Sequence, residues 1–264
     1  MEQAYLSIHD ISKSFGSGKT SYTAIERIDL DIERGEFVSI IGHSGCGKST
    51  LLSLIAGLTL PTTGTLTLGG KPITGPGPDR GVVFQSHGLL PWLSIFDNVY
   101  VAIDAVFPDL SKPEKREDTE KALNLVGLWA HRDKKPAQIS GGMKQRTSVA
   151  RAFAIQPKVL VLDEPFGALD ALTRVSLQDE LVRLWSADKS SETVILVTHD
   201  IDEAIYLSDR IVVMTNGPKA TIEEVVEVKL PRPRDRRAIV HTTEYAELKD
   251  RLLYLLTNAI PDAA

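Results

Sequence analysis

Eight consecutive residues carry the most specific chemistry in the sequence: Gly42, His43, Ser44, Gly45, Cys46, Gly47, Lys48 and Ser49, with Thr50 behind them. They fit G-x-x-x-x-G-K-S, a loop that cradles phosphate groups. The glycines leave no Cβ between backbone N–H groups and an anion, and a helix starting at Lys48 would add its positive N-terminal end. Lys48 is placed to reach the β- and γ-phosphates, and Ser49 to ligate Mg²⁺. A chance glycine-rich turn is the bland alternative. It is disfavoured because an apolar run, Phe37 to Ile41, precedes the loop and helically spaced LLSLIAG follows it. Cys46 reads as a small residue in a variable slot, and alkylation there is expected to block nucleotide binding.

A second strand-end pair supplies what a nucleotide-hydrolysing centre needs. The apolar run Val159 to Leu162 delivers Asp163 and Glu164. Asp163 suits the metal shell as an anion, and Glu164 suits orienting and polarising an attacking water. Ser140, Gly141 and Gly142 precede a helical pattern and make a second anion-binding helix start, which could also be a plain N-cap.

These residues need a scaffold of strands and helices. Phe37 to Ile41, Val159 to Leu162 and Val194 to Val197 are almost wholly apolar, as central strands covered on both faces are. Leu6, Ile8, Ile25, Ile28, Leu30 and Ile32 alternate around the turn-like FGSGKT and predict an N-terminal antiparallel sheet. Between about 86 and 157 the periodicity turns helical, in SIFDNVYVAIDAV, PEKREDTEKALNLVGL and GMKQRTSVARAFAI. That stretch is expected to be a helical subdomain inserted into an α/β core. Strands are predicted near Ile211 to Met214 and Ile222 to Lys229, then a Pro/Arg turn and an amphipathic helix over 243–258.

The composition leaves few competing classes. A chain of 264 residues with 42% apolar and 25% charged residues suits one large globular unit with a possible subdomain. A net charge of −5 with no long single-sign block gives no footprint for nucleic acid. One cysteine allows no internal disulfide, MEQAYLSIHD does not read as a secretory leader, and no apolar run approaches a bilayer span.

Ile139-Ser140-Gly141-Gly142-Met143-Lys144-Gln145-Arg146 separates this chain from other phosphate-loop proteins. The segment resembles the LSGGQ signature of ATP-binding-cassette (ABC) proteins, and other family motifs follow in order. Gln85 resembles the Q-loop glutamine, a metal ligand; Ala168-Leu169-Asp170 resembles the D-loop; His199 resembles the switch histidine; Phe15 sits where the family stacks a ring on adenine. The resemblance implies an α/β fold: a RecA-like P-loop core with an N-terminal antiparallel β subdomain and an inserted helical subdomain. It places the cassette at 1–230, its helical subdomain at about 86–157, and a short extension ending in a helix at 231–264. It also implies ATP and Mg²⁺, with each triphosphate held between Lys48 of one subunit and Ser140 and Gly142 of another.

Ser86 to Leu93 is unusually apolar for a loop, and Leu89, Leu90 and Trp92 read either as a docking surface or as interior to the helical part. The family uses such a cleft for a coupling helix of transmembrane permease subunits. SGGMKQR together with LPRPRDR at 230–236 is similar to importers for nitrate, bicarbonate, sulfonates and taurine, and MTNGP at 214–218 leans toward nitrate/nitrite and bicarbonate. Met143 departs from the usual signature glutamine. Expected partners are the permease, a second ABC subunit as homodimer or heterodimer, and a solute-binding protein, all at the cytoplasmic face of the cell membrane. The stretch after about residue 230 is not expected to form the larger regulatory domain some relatives carry. A soluble ABC protein acting on DNA or ribosomes, and a metabolite kinase, fit the length and motifs less well.

Overall fold

The computed structural model describes residues 4–167, 169–187 and 193–258. In chain order the strands are β1 (Leu6–Phe15), β2 (Tyr22–Ile32), β3 (Phe37–Ile41), β4 (Thr63–Leu68), β5 (Lys71–Pro72), β6 (Arg80–Val83), β7 (Val159–Asp163), β8 (Thr193–Val197), β9 (Arg210–Met214) and β10 (Ile222–Glu227). The helices are α1 (Lys48–Ile55), α2 (Ile95–Val106), α3 (Lys112–Leu125), α4 (Gly141–Ala154), α5 (Ala171–Ala187), α6 (Ile201–Leu207), α7 (Arg236–Ile239) and α8 (Thr243–Asn258). They fall into two compact units, Met1–Pro76 with Thr193–Ala264, and Gly77–Glu192.

In the first unit an antiparallel sheet runs β2-β1-β4-β5, with Leu6 opposite both Ile32 and Leu68 and Ile8 opposite Leu30 and Leu66. Its inward residues break period two where Ile8 is followed by Ile11 and Ile25 by Ile28. The backbone accounts for this, since Asp10 and Arg27 take φ of +47° and +48° inside the irregular register. An extra residue on each strand restores the inward face. Beside it, β3 pairs in parallel with β8 and β9, and β10 closes that edge antiparallel to β9. Every residue of β3 and β8 is buried, which is why both read as unbroken apolar runs.

Within the first unit, arginines of the C-terminal segment tie it to α6. Arg234 is buried and donates to the carbonyls of Ile205, Tyr206 and Ser208 at 2.7–3.0 Å, and to those of Val228 and Leu230 at 3.3–3.4 Å. Arg232 donates to Asp209 and to the Leu207 carbonyl. The basic run LPRPRDR thus supplies donors to the carbonyls at the end of α6, where helical partners run out. Burial lowers the pKa of Arg234 to about 10, still far above neutral.

In the second unit, β6 and β7 pair in parallel with Val83 opposite Leu162, and α2, α3 and α4 pack against one another. Ser94 caps α2 and Ser111 caps α3 in a capping box with Glu114. The seventeen-residue α5 and the hairpin β4–β5 have no counterpart in the sequence expectations. Among the described residues no helix is long and apolar enough to cross a membrane.

Candidate functional site

The first unit carries the phosphate loop, set between β3 and α1. Gly47 is the N-cap of α1 with φ +91°, and a Cβ there would lie 2.5 Å from Cγ2 of Ile25. Only glycine meets both demands. Gly45, at φ +81°, opens onto free space, so its backbone can approach a ligand. The loop leads into the N–H groups at the start of α1, which lack helical partners. Lys48 is only 7% exposed, and its ammonium is folded onto the loop, donating to the carbonyls of Gly42 at 2.8 Å and His43 at 2.9 Å. Ser49 is exposed in the first turn of α1, followed by half-buried Thr50. Ser44 is exposed, whereas Cys46 is 1% exposed. With the thiol so buried, a reagent reaches Cys46 only if the loop opens.

Residues 214–218 lie against the back of this loop, which gives the MTNGP run a physical reading. A Cβ on Gly217 would come within 2.9 Å of the Gly45 carbonyl, and one on Gly42 within 3.2 Å of the Met214 carbonyl. Phe15 ends β1 with its ring 42% exposed and the Lys13 ammonium 5.1 Å from its centroid. His199 is exposed between β8 and α6, and Asp200 caps α6 by accepting from the Glu203 N–H.

The second unit carries the acids. Asp163 ends β7, and Glu164 follows at φ +44°, a left-handed conformation uncommon outside glycine. Gln85 donates from Nε2 to Oε2 of Glu164 at 3.0 Å. Asp170 accepts from the Thr173 N–H at the start of α5, and that hydrogen bond holds its carboxyl below the usual range. Ala168 lies outside the described residues, so the D-loop is seen only from Leu169 onward. Ser140 is the N-cap of α4, accepting from the Met143 N–H at 3.3 Å. Gly141 and Gly142 open that helix. A Cβ on Gly142 would press to 3.0 Å on the Thr173 side chain.

The structure adds residues that sequence reasoning passed over. His87, at φ +65°, hydrogen-bonds through Nδ1 to the buried Gln145 of α4, and its carbonyl accepts from Ser148 and Arg151. Arg151 also donates to the Gly88 carbonyl at 2.7 Å, and burial lowers its pKa. Asn98, fully buried on α2, accepts from the Leu90 N–H and donates to the carbonyls of Leu90, Leu93 and Ser94. The segment from Gln85 to Leu93 is therefore pinned on both sides by polar side chains. Trp92 nevertheless stands 65% exposed, while Leu89 and Leu90 are half-buried. A polar residue within a helical run was the only available signal for Asn98 and Gln145.

The two units each carry oxygen donors of the kind a hard cation takes alongside phosphate oxygens and water. Ser49 offers a hydroxyl, Asp163 a carboxylate and Gln85 an amide oxygen. Among the described residues no group of three or more His, Cys, Asp or Glu could hold a metal by itself. Mg²⁺ fits that pattern better than a metal needing an all-protein cage.

Comparison with known proteins places these features. The family described as ABC transporter matches residues 25–167. The chain is 52% identical over 255 residues to the bicarbonate transport ATP-binding protein CmpD of Synechocystis sp., covering 97% of this chain and 90% of that one. It is 51% identical over 252 residues to the nitrate import ATP-binding protein NrtD of Synechococcus elongatus, covering 96% and 91%. Its structure resembles that of the ATP-binding cassette MJ0796, solved as a dimer in a post-hydrolysis state with ADP and Pi. The TM-score is 0.76 at 31% identity, over 86% of this chain and all of that one. With a phosphate loop, a strand-end acid pair and a capped signature helix, the chain belongs to the ABC transporter family and is an ATP-hydrolysing cassette.

Proposed function

We propose that this cassette energises import of a small inorganic anion, bicarbonate or nitrate/nitrite. The observation that carries this reading is about half identity, across nearly the whole chain, to proteins named for bicarbonate transport and nitrate import. Lys48 and the loop N–H groups bind the β- and γ-phosphates, and the Phe15 ring stacks on adenine. Glu164 orients the attacking water, His199 hydrogen-bonds the γ-phosphate and keeps Glu164 and that water in line, and Gln85 reports on them. Ser49, Asp163 and Gln85 would hold Mg²⁺, which when bound would neutralise charge on the phosphate oxygens. Ser140, Gly141, Gly142 and Asp170 face the nucleotide of a second subunit, identical or paralogous. ATP then closes the pair and hydrolysis releases it.

In this reading residues 1–230 form the cassette, with 86–157 its helical part and 231–264 an extension. Leu89, Leu90 and Trp92 receive a coupling helix from transmembrane permease subunits. The exposure of Trp92, on a loop pinned by Asn98 and Arg151, supports a rigid docking surface. The chain sits at the cytoplasmic face of the membrane, and a solute-binding protein delivers the anion from the other side. Reconstitution with its permease and binding protein in vesicles tests the proposal. ATP hydrolysis should rise when the binding protein is loaded with bicarbonate or nitrate. Stimulation by taurine or an alkylsulfonate, with no response to either anion, would overturn it.

A further inference from the structure

The His43 ring makes a contact that the phosphate-loop motif does not require. Its Nε2 lies 2.7 Å from the Leu256 carbonyl in the last described turn of α8. A carbonyl only accepts, so Nε2 carries the proton. An imidazole N–H from the loop supplies a donor there.

The acceptor belongs to a fixed element. Leu252 and Leu255 of α8 are buried, Tyr245 donates to Asp202 of α6 at 2.6 Å, and Lys249 pairs with the same carboxylate. Arg251 pairs with Glu224 of β10. Asp202 lies three residues beyond His199. One helix therefore rests on the segment that follows His199 and ends on the phosphate loop. His43 is held at its side chain by α8, and at its carbonyl by the Lys48 ammonium and by the Cys46 N–H at 3.2 Å. When phosphates draw Lys48 away from that carbonyl, the ring contact still ties this end of the loop to α8.

We propose that His43 is a positioning residue for nucleotide binding, with α8 acting as a brace that keeps the phosphate loop in its binding shape through the Leu256 carbonyl. A braced loop loses less conformational freedom when phosphates arrive, so the brace strengthens affinity and leaves the chemical step alone. The inference rests on the phosphate-loop reading and extends it to the C-terminal helix. The simpler alternative is that the bond from His43 to Leu256 only stabilises the fold without touching affinity.

The test is ADP binding by calorimetry to the full-length chain, with thermal unfolding measured alongside. His43→Ala removes the donor. Thr257→Pro keeps the ring but displaces the acceptor, because proline excludes helical backbone from the preceding residue. His43→Gln restores an N–H of similar reach. Loss of one such hydrogen bond predicts Kd weakened about three- to tenfold in each of the first two variants. The double variant should be no weaker than either, and His43→Gln should lie near the parent. Unchanged Kd with only a lower Tm, tighter binding, or effects that multiply in the double variant would each overturn the brace. A parent chain that fails to bind ADP would instead sink the phosphate-loop reading.

Discussion

Gln85 and Glu164 each stand two residues beyond a paired couple in adjacent parallel strands, Val83 of β6 and Leu162 of β7, and the amide of the first donates to the carboxylate of the second at 3.0 Å. Strand register thus delivers both side chains to one carboxyl edge, where open parallel sheets place their ligands. The left-handed backbone at Glu164 turns the chain sharply after β7. Any shift of the segment that carries Gln85 therefore pulls directly on the carboxylate proposed to orient water.

Replacing Glu164 by Gln keeps the shape and removes the proposed base. ATP binding should survive while kcat falls roughly 10²- to 10⁴-fold, and ATP-bound dimers should accumulate on size exclusion. A variant that stays monomeric at saturating ATP contradicts the assignment.

Lys48→Ala should weaken ATP binding about 10- to 100-fold, the worth of a charge-assisted contact to phosphate. The ammonium now resting on the Gly42 and His43 carbonyls is the group expected to swing onto the nucleotide. Equilibrium dialysis with labelled ATP measures the loss, and undiminished binding refutes the role.

Arg234→Met leaves carbonyls of residues 205, 206 and 208 without their shared donor in a buried site. Unfolding in urea should show a loss of about 2–4 kcal/mol, with unchanged ADP affinity in the folded protein. A loss under 1 kcal/mol would mean that water reaches those carbonyls.

Burial raises the Glu36 carboxyl above its ordinary 4.5, against the Glu33 N–H and the Arg210 guanidinium that lower it. The native state then binds more protons than the unfolded chain just above that pH. Stability from this group is full below 4.5 and lost as pH rises through the folded value. Glu36→Gln abolishes the dependence. The Tm advantage of the parent over the variant should therefore shrink from pH 4.5 toward neutrality, and a widening gap contradicts the sign.

The parts of the fold legible in the sequence are those governed by local periodicity. The short apolar runs became β3, β7 and β8, and the helical patterns became α2, α3 and α4. α8 occupies 243–258 as its amphipathic pattern predicts. α5 escaped because its buried stripe is narrow, Leu177, Leu181 and Trp185 one turn apart amid polar and small residues. The hairpin β4–β5 escaped because β4 begins exposed and β5 is two residues long. Around the site, loop glycines and strand-end acids declare themselves by spacing. Contacts such as His43 with Leu256, 213 positions apart, arise only when the fold closes, and no local pattern encodes them.

The account turns on one nucleotide being gripped by two protomers, and an ATP-dependent crosslink tests that most directly. Cysteines at Ser44→Cys and Ser140→Cys, in a chain carrying Cys46→Ser and Glu164→Gln, would face each other across the closed pair. Oxidation in the presence of ATP should yield covalent dimers that are absent without nucleotide. No crosslink at saturating ATP, or equal crosslinking with and without it, would contradict the shared site.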